Sequence, residues 1–146
     1  MASNFMSSVS DKSEYRITHV CHDLDSALSE LPALFRGESV QPSSDLSVAP
    51  SSKSKQPIPR AVVIGKGFSE DEMKHIVKRG QEAGGTGSKT AWFLPDDDKF
   101  TLAQKARAFA TAGISLPIII AERAIESLRE NGVVNGRETV AGVYGF

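Results

Sequence analysis

The sequence predicts an α/β domain: a small three-layer, mostly parallel sheet of three to four strands with flanking helices. Three observations carry this. Two short apolar runs, Ala61–Ile64 and Thr90–Leu94, are continuous rather than alternating, as strands covered on both faces are. A segment of helical periodicity stands between them, and another follows the second. Strands alternating with helices in this way belong to parallel sheets with crossover helices.

From the N-terminus, residues 1–13 are polar and Ser-rich, without periodicity, and are expected to be disordered. A single domain is expected over 14–134. Tyr15–Cys21 sets Tyr15, Ile17, His19 and Cys21 against Arg16, Thr18 and Val20, the alternation of a strand. Asp23–Arg36 places Leu24, Ala27, Leu28, Leu31, Leu34 and Phe35 at helical spacing. Asp25 or Ser26 is its expected cap, Pro32 should kink or split it by removing a hydrogen bond, and Gly37 ends it. Residues 40–57 are Ser- and Pro-rich with little to bury, and are expected to form a disordered insertion.

Ala61–Ile64 is then the next strand, and Phe68–Gly84 the best-specified helix. Ser69 and Glu72 make a capping box, and Phe68 with Met73 a hydrophobic staple across it. Met73, Ile76 and Val77 are its expected buried stripe, and Gly84-Gly85 terminates it. After the strand Thr90–Leu94, Thr101 and Gln104 repeat the capping pattern before a helix over Leu102–Ala112. Leu102, Ala106 and Phe109 are its expected apolar face. Ile114–Asn131 has two readings: one helix with Pro117 in its first turn, or a buried strand over 114–120 and a short helix. Proline disfavours a central strand, so the helix is preferred. Residues 135–146 form a tail in which Asn135-Gly136 signals a tight turn, either a small hairpin or a frayed end.

Composition narrows the function. With 146 residues and a net charge of −1, the chain lacks the basic footprint that displaces counterions from nucleic acid. Cys21 is the single cysteine, so an intramolecular disulfide is excluded. The start of the sequence lacks the basic and apolar regions of a secretory signal, and no apolar run approaches the ~20 residues of a membrane helix. A cytoplasmic protein without nucleic-acid or membrane partners is expected.

Four groups of residues invite a chemical reading. Gly65-Lys66-Gly67 follows a strand and precedes a helix, the context of a phosphate-binding turn, where backbone N–H groups and Lys66 would meet an anion. Asp96-Asp97-Asp98 follows the next strand. Together, over about residues 60–98, they resemble the first βαβ unit of a Rossmann-like dinucleotide-binding domain. The resemblance implies NAD or NADP as cofactor, with Gly65, Lys66 and Gly67 at the phosphates and Asp96 at the ribose. The chain departs from that pattern where the third glycine falls on Glu70. Glu70, Asp71 and Glu72 suit a helix start but repel phosphate.

His19, Cys21, His22 and Asp23 lie close together, but strand alternation separates His22 from His19 and Cys21, and no second ligand cluster accompanies them. No metal site and no catalytic set is therefore expected, and Cys21 reads as an inert buried thiol. Gly84–Thr90 resembles a P-loop in composition, but Ser88 separates Gly87 from Lys89, and the segment runs from helix to strand, the wrong sense. The expected function is an accessory or partner-binding protein, with an unknown protein or a second copy as partner. The alternative is a Rossmann-like nucleotide-binding protein associated with an oxidoreductase pathway.

Overall fold

The computed structural model describes residues 2–46 and 57–146. In chain order these form α1 (Ala2–Lys12), α2 (Leu24–Phe35), β1 (Ala61–Val63), α3 (Glu70–Gln81), β2 (Ala91–Leu94), α4 (Leu102–Ala110), α5 (Leu116–Glu130) and β3 (Gly142–Gly145). The strands make one sheet in the order β1-β2-β3, parallel throughout, with Ala61 opposite Ala91 and Ala91 opposite Gly142. The α/β class and the parallel sheet follow the sequence expectation.

β2 is the centre of the molecule, and its continuous apolar run has a direct cause. Trp92 enters a cluster with Ala27, Leu31 and Phe35 of α2 and Ile76 and Val77 of α3. Its neighbours Ala91 and Phe93 point the other way, into a cluster with Ala124 and Leu128 of α5. Both faces are covered, so neither can be polar. Phe35 meets Trp92 edge-on at 5.8 Å between ring centroids. α3 comes so close to the sheet that a Cβ on Gly80 would stand 2.4 Å from the Trp92 ring.

The two crossovers lie on opposite faces. The β1–β2 connection carries α3 on the Trp92 face, and the β2–β3 connection carries α5 on the Phe93 face. In a parallel sheet ordered 1-2-3, two crossovers of the same hand put both helices on one face. One of these two is therefore left-handed, against the strong right-handed rule for such units. This departs from the arrangement of a dinucleotide-binding half.

Several local expectations hold. Ser69 accepts from Glu72 N while Glu72 accepts from Ser69 N, closing the capping box of α3, and Thr101 with Gln104 does the same for α4. Residues 114–131 take the helical alternative, as α5, with Pro117 in the first turn. Gly37 takes φ +73° just after α2.

Others are corrected. The segment expected to be disordered over 1–13 is mostly α1, which seats Phe5 and Val9 against Ala121 and Ile125 of α5. Lys12–Glu122 and Glu14–Arg129 ion pairs add ties on the same side. Two apolar anchors are too few to show as a period. Tyr15–Cys21 is not a strand. It carries the chain from the α5 face, where Tyr15 and Ile17 pack, to the α2 face, where Cys21 packs. Its alternation therefore reports two different surfaces.

The cap of α2 is Asp23, which accepts from Ser26 N at 2.8 Å, rather than Asp25 or Ser26. Pro32 does not split that helix. The expected disordered insertion, 40–57, falls outside the described residues over 47–56. Over 40–46 Val40 and Ser44 are buried, while Gln41, Ser43 and Asp45 are exposed. The apolar face expected for the third helix exists but is not buried. The tail 135–146 is neither hairpin nor frayed end, because its last residues form β3. Two glycines hide that strand. A Cβ on Gly142 would stand 2.8 Å from the Tyr144 hydroxyl, and one on Gly145 2.8 Å from Asp96 Oδ2. Glycine suits such close approaches but lowers strand propensity.

Candidate functional site

The carboxyl edge of the sheet gathers the residues singled out by the dinucleotide resemblance. Gly65, Lys66 and Gly67 follow β1, Asp96 follows β2, and Gly145 closes β3 beside Asp96. Their partners are not those the resemblance implies. Lys66 Nζ pairs with the Asp97 carboxylate, which holds the Asp97 carboxyl below its ordinary range. Asp96 accepts from the backbone N–H of Asp98 at 3.1 Å and so caps a short 3-10 turn, Asp97–Lys99.

Arg123 of α5 underpins this corner. It donates to the Asp96 carbonyl at 2.8 Å and lies over the Phe100 ring, 4.1 Å from its centroid. Burial lowers its basicity, while Asp96 and Asp97 favour the charged form. Lys99 donates to the Gly145 carbonyl at 2.8 Å.

A shallow cleft of about 390 Å³ opens here between Glu70, Leu94–Asp97 and Val143–Gly145. Its charged lining is acidic: Glu70, Asp96 and Asp97. Lys66 is paired with Asp97, Lys99 is bound to the Gly145 carbonyl, and Glu72 occupies the Ser69 N–H at the start of α3. Gly65 and Gly67 have open space where a Cβ would stand, and neither needs a left-handed backbone. The edge thus brings Gly65–Gly67, Asp96 and Asp97 together, with electrostatics that oppose a phosphate. His22 and Asp23 do not join this edge through a strand, since Asp23 caps α2. The Gly84–Thr90 segment holds a 3-10 turn over Gly87–Lys89 and leads into β2.

A second feature is the outer face of α4. Leu102 is 86% exposed and Phe109 90%, and Ile114, in the turn after the helix, is 80% exposed. No residue of α4 is buried. The helix stands on its own cap, and Arg107 is tied to Glu122 of α5 at 3.3 Å. The sequence marked Leu102, Ala106 and Phe109 as the apolar face of this helix and set Ile114 in the following element.

A third feature is a buried polar cluster under α2. Glu30 lies among the core residues of that helix and faces His19 Nε2 at 2.5 Å and Cys21 Sγ at 3.8 Å. Ser43 closes the other side, its N–H donating to Glu30 Oε1 at 3.0 Å and its hydroxyl to the same oxygen. Burial pushes the Glu30 carboxyl up, but the hydrogen bonds from Ser43 and His19 outweigh it, and the net direction is down. Burial, then the Glu30 charge, pushes the Cys21 thiol up to about 12. A thiol held so firmly protonated is no nucleophile.

Glu30 was missed by sequence reasoning, although a signal existed: a carboxylate three residues after Ala27 and four before Leu34, on the apolar stripe of its helix.

Comparison with known proteins returns no match to this chain from any family model, any curated protein or any solved structure.

Proposed function

We propose that the chain is an accessory protein that works by docking another polypeptide on the apolar face of α4. The observation that carries this reading is the exposure of Leu102 and Phe109 on one face of a helix closed by its N-terminal capping box, with Ile114 exposed in the turn that follows. Large apolar side chains grouped on one face favour an interface, because water is released when a partner covers them. Ala103, Ala106 and Ala110 between the large residues allow a close approach. Lys105 is exposed on the same helix, so the partner that fits is an apolar helix or groove with an acidic rim.

The test is a photo-crosslinking amino acid at position 109 in the full chain, with one at the exposed position 71 of α3 as control, read in cells and on the purified protein. A discrete adduct from 109 and none from 71 is expected. An adduct only in the purified protein identifies a second copy as the partner. The absence of any adduct from 109, with a strictly monomeric mass in solution, overturns the reading.

Dinucleotide binding at Gly65, Lys66, Gly67 and Asp96 is the second reading, favoured by their convergence on one sheet edge. A rise in Tm with NAD or NADP that disappears in Lys66→Ala would support it. At 100 times Kd a ligand adds about 2.7 kcal/mol, a clear shift for a domain this size.

A further inference from the structure

A buried carboxylate is stable only if its charge is compensated. Glu30 is compensated from two segments at once: Ser43 on one oxygen, His19 and Cys21 on the other. The side chains of His19 and Glu30 are 4% and 7% exposed. One ring nitrogen of His19 faces Glu30. The other, Nδ1, is buried and has no hydrogen-bond partner among the described residues. A neutral imidazole facing a carboxylate leaves a bare lone pair there, and an imidazolium leaves an unsatisfied N–H. Either state is costly inside a protein.

The donor atoms of His19, Cys21 and Glu30 all lie within 4.8 Å of one another. Around a tetrahedral zinc ion, with bonds of about 2.0–2.3 Å, ligand atoms are about 3.5 Å apart. His19 Nε2 and Glu30 Oε2, at 2.5 Å, stand closer than that, so an ion between them parts this pair by about 1 Å while Cys21 Sγ, 3.8 Å from the same oxygen, draws in. Sulfur, imidazole nitrogen and carboxylate oxygen are the donors that tetrahedral zinc takes. We propose that His19, Cys21 and Glu30 form a binding site for a divalent transition ion of the zinc type, which fastens the segment before α2 to that helix.

The charges balance. Thiolate and carboxylate together carry two negative charges, matching the dication, with the imidazole neutral. Binding releases to solvent the Cys21 thiol proton, which the sulfur otherwise directs toward Glu30. Three protein ligands leave a fourth position for water. The site is separate from the α4 face, and its success or failure does not bear on partner docking.

The test is titration of the reduced full chain with Co2+, a spectroscopic substitute for zinc. One equivalent should give a thiolate-to-cobalt charge-transfer band and the visible bands of tetrahedral cobalt, both bleached by Zn2+. Cys21→Ser should abolish the charge-transfer band. His19→Ala and Glu30→Gln should each weaken binding at least ~10-fold, while His22→Ala and His75→Ala should leave it unchanged.

The unmodified chain supplies a second readout free of folding effects: Zn2+, but not Mg2+, should slow alkylation of Cys21. No band at saturating Co2+, a band that survives Cys21→Ser, dependence on His22 or His75, or alkylation indifferent to Zn2+ would each overturn the site and leave a buried imidazole–carboxylate pair in its place.

Discussion

Helices α3 and α4 start alike and end differently. Each opens on a hydroxyl cap with a glutamate or glutamine three residues on, and in each both capping hydrogen bonds form. Each carries an apolar stripe. Yet α3 buries Ile76, Val77 and Gly80 against Trp92 and Phe35, while α4 buries nothing. The difference teaches that capping and periodicity make a helix but do not say which surface will cover it. α3 lies in a short crossover between paired strands and is pressed onto the sheet. α4 precedes α5, which takes the place on the Phe93 face, so α4 stays outside as a shelf.

The largest expected effect contrasts the two environments directly. Trp92→Ala removes the ring on which α3 rests and should cost about 3–5 kcal/mol in denaturant unfolding. Phe109→Ala, an aromatic truncation of similar kind on α4, should stay within about 0.5 kcal/mol. An equal loss at both would mean that the α4 face is buried in the monomer, and would end the docking proposal with it.

Gly80→Ala comes next. Despite better helix propensity, its Cβ would strike the Trp92 ring at 2.4 Å, and overpacking of this kind costs about 1–3 kcal/mol. A stabilised variant would show that α3 can move off the sheet. On the open side, Ala106→Gly should lose about 1 kcal/mol through helix propensity alone.

The caps should behave alike in both helices. Ser69→Ala and Thr101→Ala should each lose about 1 kcal/mol by thermal or chemical unfolding, since capping is local and indifferent to the face behind it. A loss confined to Ser69→Ala would show that α4 needs its partner to be helical.

The smallest effect concerns the tie between Glu14 and α5. Two hydrogen bonds from the Arg129 guanidinium, at 2.9 and 2.5 Å, hold the Glu14 carboxyl at about 2, below its ordinary 4.5. The folded state thus holds the carboxylate more firmly than the unfolded chain does. Its contribution is present above pH 4.5 and fades as the pH falls toward 2. The Tm gap between the native chain and Glu14→Gln should be small, as for other exposed pairs, and should close across that window. A gap that widened with acid would reverse the assignment.

The candidate site was only half legible, for reasons that differ by residue. Lys66 and Asp96 are placed on one edge by any parallel sheet, so strand pattern alone could bring them together. That Lys66 would choose Asp97, and that Asp96 would cap its own turn, depends on backbone turns of two or three residues that no period encodes. Glu30 was legible as an oddity, a carboxylate on an apolar stripe. Its partners His19, Cys21 and Ser43 lie 9–13 residues away along the chain, on segments without regular structure. The sense of Tyr15–Cys21 was lost for the same reason: alternation shows that two sides differ, not what lies against each.

By itself the sequence determined the elements that rest on neighbours a few residues apart: the apolar strands β1 and β2, the capped helices α3 and α4, and the α/β class their order implies. Hydrogen bonds within one turn and side chains within one face are short-range, and a linear pattern records them. Only the tertiary structure decided which faces are covered. It made the glycine-bearing tail a third strand, turned a polar N-terminus into a helix on α5, set the two crossovers on opposite faces of the sheet and left α4 bare. Those outcomes depend on contacts between residues far apart in the chain, where burial of a few side chains outweighs local preference.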